Sequence, residues 1–177
     1  KAGAYPEAVK EYNIALDSMP DNDVAREGLT AATKAPAIKE QGSYYQVKKM
    51  DKFNSRRQDY SPMLFGDQYN QLYFTSTRND AQGDEVSGIT GVKPGDIFVS
   101  EKDEKGKWTT PHTIESGLNS ETDEGTPAFS VDGREMYITQ CLTDPTYPRF
   151  AQISVSNRSD AAWGKPKKLE ITRDTLS

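Results

Sequence analysis

The residues of this chain best suited to chemistry are carboxylates, and they gather at recurring places. Asp59 stands three residues before Pro62, and Asp123 and Glu124 stand just before Pro127. A rim of such oxygens suits a hard cation such as calcium. Their spacing is not that of an EF-hand loop, and carboxylates in loops also cap turns or pair with arginines, so no metal is assigned. A second acidic group, Asp80, Asp84 and Glu85, lies in a Gly- and Asp-rich segment, 79–94. Loops carried on a rigid scaffold often bind partners, which makes these three residues a candidate partner-binding loop. Gly88-Ile89-Thr90-Gly91 in the same segment is no phosphate loop, because no Lys-Ser/Thr follows it.

Nucleophilic chemistry has little to work with. There is one cysteine, Cys141, and one histidine, His112. A lone Cys rules out an internal disulfide and a multi-Cys metal site, and a lone His rules out a two-His zinc site. Cys141 falls at the end of an alternating strand pattern and reads as a small half-buried residue. His112 sits in a Trp-x-x-Pro turn elsewhere, so no Ser-His-Asp arrangement assembles around it. No motif singles out a pair of carboxylates for glycoside chemistry. The chain is expected to be no enzyme and to carry no cofactor. Asn157-Arg158-Ser159 fits the N-glycan sequon, relevant only in a eukaryotic secretory setting.

Composition sets the frame for these groups. The 177 residues are 34% hydrophobic and 10% aromatic, with a net charge of -5. The aromatic content is what allows a core. The acidic balance excludes a basic nucleic-acid footprint, and no apolar run approaches the roughly 20 residues that span a bilayer as a helix.

Ala4, Ala8, Tyr12, Ala15 and Leu16 recur at helical spacing, with Pro6 in the first turn and Pro20 at the end. Asp21-Asn22-Asp23 offers N-cap oxygens to a second helix over about Val24 to Lys34, giving a helical hairpin over 1–35. Pro36 is expected to break that helix and to open a polar linker, 36–43. From Tyr44 the period becomes two, and Tyr44–Met50 reads as a strand. All of 44–177 is expected to be β.

That β region repeats itself. Asn54-Ser55 to Pro62 returns as Asn119-Ser120 to Pro127, 65 residues on, and Trp108-x-x-Pro111 returns as Trp163-x-x-Pro166, 55 residues on. Each copy holds four strand patterns, through Met63, Tyr73, Phe98 and Ile114 in the first and Ala128, Tyr137, Val155 and Leu169 in the second. The segment 79–94 is an insertion in the first copy and explains most of the difference in offset. A fixed order of short strands at such a period signals a repeat architecture, and four antiparallel strands per unit is the make-up of a propeller blade.

Two resemblances follow from these residues. Lys1-Ala2-Gly3-Ala4-Tyr5-Pro6-Glu7-Ala8, with Tyr12, Ala15-Leu16 and Pro20-Asp21-Asn22, resembles a tetratricopeptide repeat. Thr126-Pro127-Ala128-Phe129-Ser130-x-Asp132-Gly133-x-x-Met136-Tyr137-Ile138, with Asn119-Ser120 before it and Trp-x-x-Pro after, resembles the WD-like repeats of the Tol-system periplasmic propeller. The first copy departs from that pattern, with Phe65-Gly66-Asp67-Gln68 in place of Ser-x-Asp-Gly. The resemblance implies an α+β multi-domain fragment: a helical hairpin, then two propeller blades, with a third copy starting near Ser177 and most of the propeller beyond it. Helical repeats ahead of such a propeller are similar to envelope proteins of the Bacteroidetes group, several of them OmpA-like or belonging to type IX secretion and gliding machinery. This implies a periplasmic, outer-membrane-associated scaffold with protein partners and, through a domain outside the chain, peptidoglycan. Asp17-Ser18-Met19 and Asp174-Thr175-Leu176 resemble the O-glycosylation triplet of that group, which makes Ser18 and Thr175 candidate acceptors. The competing expectation is a gating propeller of a larger, prolyl-oligopeptidase-like hydrolase, whose catalytic domain would lie outside this chain.

Overall fold

The structure is a computed structural model; it describes residues 3–83, 86, 91–142, 150–160 and 162–171. Among these the chain forms two helices and two antiparallel sheets, divided into two compact units, Lys1–Lys48 and Lys49–Ser177.

In the first unit, α1 spans Tyr5–Ser18 and α2 spans Asp23–Glu40. Pro6 falls in the first turn of α1, where its missing N–H leaves nothing unpaired. Asn22 caps α2: its side-chain oxygen accepts from the Ala25 amide at 3.0 Å. Ala25 and Ala32 are buried against α1, and Gly28 leaves room for the Tyr12 ring, since a Cβ there would sit 2.4 Å from it. No residue of α1 is fully buried, as expected of a helix with one neighbour.

Two expectations fail in this unit. Pro36 does not break the second helix; it lies inside α2, which runs on through Glu40, so most of the expected linker is helical. Proline removes one N–H from the helical ladder, but the turn beyond it closes normally, with Gln41 N–H donating to Ala37 O at 3.1 Å. Nor is Tyr44–Met50 a strand. Tyr44 and Val47 are 105% and 95% exposed, and no strand forms over these residues. An alternating pattern becomes a strand only where a partner strand takes its backbone groups. The boundary between the units falls inside this segment rather than ahead of it.

In the second unit, the first sheet has the order β1 (Asp59–Phe65), β2 (Gln71–Ser76), β3 (Asp96–Glu101), β4 (His112–Thr113). The second has β5 (Asp123–Phe129), β6 (Glu135–Leu142), β7 (Phe150–Ser159) and β8 (Ala162–Trp163), and β9 (Lys167–Lys168) also pairs with β7. The sheets match in detail. The β1–β2 register shifts between Tyr60 and Met63, and the β5–β6 register shifts between Gly125 and Ala128. Ser61 and Thr126 occupy those bulges with φ of 51° and 52°, an uncommon conformation for residues bearing a Cβ. Lys102 bridges to Trp108 as Arg158 pairs with Trp163, and His112–Thr113 and Lys167–Lys168 stand in equivalent places. Behind each Trp a strand serine is held alike: Ser100 Oγ donates to Thr109 O at 2.7 Å, and Ser156 Oγ to Gly164 O at 2.6 Å.

The core lies between the sheets. Phe65, Tyr73, Ile97 and Val99 from the first meet Met136, Ile138 and Trp163 from the second, together with Leu118. Burying such side chains is worth about 1.5–3 kcal/mol each. Trp163 Nε1 finds an acceptor inside this layer in the Tyr73 hydroxyl, 3.1 Å away. The opposite face of the first sheet carries a second cluster, Phe53, Phe74, Ala81 and Phe98, with Trp108 packed against it.

Candidate partner-binding site

The recurring carboxylates are consumed by the fold. Asp59 accepts from the Ser55 amide at 2.6 Å and its hydroxyl at 2.8 Å, from Ser76 Oγ at 2.7 Å and from Arg78 Nη2 at 2.8 Å. Burial disfavours its charge, but the bonds from Ser76, Arg78 and Ser55 outweigh that and hold its pKa below the usual range. Arg78 is stacked over Phe74 and Phe98, with its guanidinium carbon 5.1 and 4.8 Å from their centroids, and it also donates to Phe53 O at 2.7 Å.

Glu124 occupies the same place in the second sheet. The Ser120 amide donates to it at 2.8 Å, with the Ser120 and Thr122 hydroxyls alongside. Among the described residues no arginine pairs with it, and burial raises its pKa despite those bonds. Each Ser-x-x-x-acid pair thus staples the loop ahead of the bulged strand, the turn chemistry these residue types favour.

Between the sheets the seam is hydrogen-bonded. Asn119 clasps Ile97: its Oδ1 accepts from the Ile97 amide at 2.9 Å and its Nδ2 donates to the Ile97 carbonyl at 3.0 Å. Gly95 N–H donates to Asp123 Oδ1 at 2.7 Å, the Glu124 amide donates to Gly95 O at 2.7 Å, and the Thr126 amide donates to Thr75 Oγ1 at 3.0 Å. Asp96 is fully buried beside them. One of its oxygens accepts from the Gln82 amide at 2.9 Å; the other has no partner. Burial, with the charges of Glu124 and Asp123, pushes its pKa up to about 6, against the Gln82 bond and Lys93.

The inserted segment is rooted in this seam. Ala81 is buried in the aromatic cluster, and Lys93 Nζ donates to Ala81 O at 2.9 Å. Gly83, at φ 76°, runs so close to the loop before β5 that a Cβ would lie 2.9 Å from Glu121 O. Asp80 is exposed and unpaired among the described residues. Asp84 and Glu85 lie outside the described residues, as does Thr175. Ser18 ends α1 and is exposed, its hydroxyl 3.4 Å from Ile14 O.

Cys141 is half-buried on β6, and burial with the Asp123 and Glu124 charges raises its thiol pKa, which keeps it protonated. His112 is exposed on β4 and lines a shallow cavity of about 370 Å³ with Tyr73, Glu101 and Trp163. The fold places these two residues on different sheets. Sequence reasoning passed over Arg78 and Asp96. For Asp96 a signal existed: a carboxylate heading an otherwise apolar strand has to be buried with it.

Comparison with protein-family models, with curated proteins and with solved structures finds no match to this chain. Among the described residues no helix is long and apolar enough to cross a membrane.

Proposed function

We propose that this chain is a non-enzymatic scaffold, a protein-protein interaction module of a Gram-negative, Bacteroidetes-like cell envelope. It combines a tetratricopeptide-like hairpin with two blades of a β-propeller. The observation that carries the reading is the equivalence of the two sheets down to the bulge, the serine-acid staple and the cation on the tryptophan, because such identity of detail is what a stacked repeat requires.

Asn54 gives further support. Asn119, its equivalent, clasps the strand of the neighbouring sheet, whereas Asn54 is exposed. In a propeller it would clasp another blade in the same way. A rigid array of this kind offers loops and concave faces to partners, and the described ends of the 79–94 segment, at Ala81 and Lys93, are held against the sheets.

The test is envelope fractionation of a Bacteroidetes host expressing the tagged full-length protein, followed by co-purification. The scaffold reading expects the protein with the outer-membrane fraction, in stoichiometric complex with secretion or peptidoglycan-associated proteins. Recovery of a lone protein from the soluble fraction would count decisively against it.

A further inference from the structure

The groove between the β1–β2 and β5–β6 hairpin turns is lined by a cation that forms no ion pair among the described residues. Arg158, on β7, lies with its guanidinium carbon 5.0 Å from the Phe65 centroid and 5.8 Å from the Trp163 centroid. Its Nε is buried and donates to nothing, and no carboxylate among the described residues pairs with it. A buried donor without an acceptor is a cost the fold carries, and stacking on two rings leaves the planar N–H fork fixed in direction.

Arg158 borders two adjoining surface cavities, of about 410 and 490 Å³. The walls of the first include Met63, Leu64, Tyr69 and Val131, all of them exposed, Val131 at 109%. Asp67 and Asp132 stand at its edge, and Asp132 is already engaged by Ser130 Oγ at 2.6 Å and the Arg134 amide at 3.1 Å. In the first repeat the corresponding lysine, Lys102, stacks on Trp108 in the same way, 5.0 Å from its ring centroid. A cation on the tryptophan is therefore part of the repeat, and at Arg158 that cation is an arginine that also lines a groove.

We propose that this groove binds the C-terminal end of an extended peptide. Its terminal carboxylate meets the Arg158 fork and its last, apolar side chain lies against Met63, Leu64 and Val131. A main-chain carboxylate brings the anion and the apolar group together on one residue, which matches a single arginine beside an apolar wall. The two rim carboxylates disfavour a multiply charged anion such as phosphate. The inference stands on the groove itself and does not require the envelope scaffold reading.

The test is calorimetric titration of the full chain with three probes: the peptide acetyl-Ser-Ala-Leu with a free carboxylate, the same peptide amidated, and inorganic phosphate. The free acid is expected to bind at least about tenfold more tightly than the amide and than phosphate. Arg158→Lys, which keeps the charge but loses the fork, should weaken the acid by about tenfold, with the amide unchanged. Val131→Asp, at a fully exposed position where folding is not at stake, should weaken it with Arg158 intact. Equal binding of acid and amide, preference for phosphate, absence of binding of the acid at about 10 mM, or indifference to Val131→Asp would each overturn the proposal.

Discussion

Asp96→Asn should flatten the pH dependence of stability across the weakly acidic range. In the folded protein burial pushes the Asp96 pKa up to about 6, from an ordinary aspartate value of 3.8. A group whose folded pKa is raised contributes stability fully present below its unfolded pKa, and that contribution is lost as pH rises through the folded value. The window here runs from about pH 4 to about pH 7. The full shift corresponds to about 3 kcal/mol at 1.36 kcal/mol per unit, which sets the upper end of the expected loss. Asparagine stays neutral, keeps an oxygen for the Gln82 amide, and so removes the loss. Any fixed cost of fitting its amide group is the same at every pH and cancels from the difference. Glu124, whose pKa is also raised by burial and whose charge helps to raise that of Asp96, contributes to the wild-type slope in the same direction. Urea unfolding of both proteins at several values between about pH 4 and about pH 7.5 measures this. The variant should gain about 1.5–3 kcal/mol on wild type across that range. A difference that stays constant within about 0.5 kcal/mol would refute the reasoning, as would a carboxyl-carbon NMR titration placing Asp96 near its ordinary value.

Three other outcomes are expected. Arg78→Met should cost about 3–5 kcal/mol by leaving the Asp59 carboxylate without its counter-charge, with Asp59→Asn in the same chain restoring part of the loss; urea unfolding reads both. Ser120→Ala should cost about 1–3 kcal/mol and Ser55→Ala less, because among the described residues no arginine pairs with Glu124 while Asp59 keeps Arg78; paired thermal melts give the order. Pro36→Ala should stabilise α2 by about 1–3 kcal/mol through a restored N–H and removal of the ring's clash with the preceding turn, seen as a higher melting point and greater helicity by circular dichroism.

The sequence disclosed strands more readily than their limits. Leu72–Ser76 and Asp96–Glu101 alternate or run apolar between turn residues, and those signals are local, so the strands form where they fall. Tyr44–Met50 alternates just as well and is no strand, because pairing is supplied by another segment and the pattern cannot announce its absence. Pro36 misled for the opposite reason. A proline late in a helix removes one bond, and an alanine-rich stretch continues past it. The repeated Asn-Ser and acidic residues were visible as a period, but their separate roles were not. Ser55 and Ser120 staple their own loops, a contact of four residues that spacing suggests. Asn119 reaches 22 residues back to Ile97, a contact that exists only once two sheets have stacked.

That distinction bears on what the repeat is for. Residues that act within one sheet, such as the staple and the serine behind each tryptophan, are satisfied in both copies. Residues that act between sheets are satisfied once. Asn119 has its strand and Asn54 has none; Ile97 is buried under the second sheet, while Ile153, its equivalent in the second sheet, is 45% exposed. At these positions the exposed residue is of the same type as its engaged counterpart, Asn54 as Asn119 and Ile153 as Ile97. The two sheets thus carry the same residues at the positions that join them, engaged in one copy and exposed in the other.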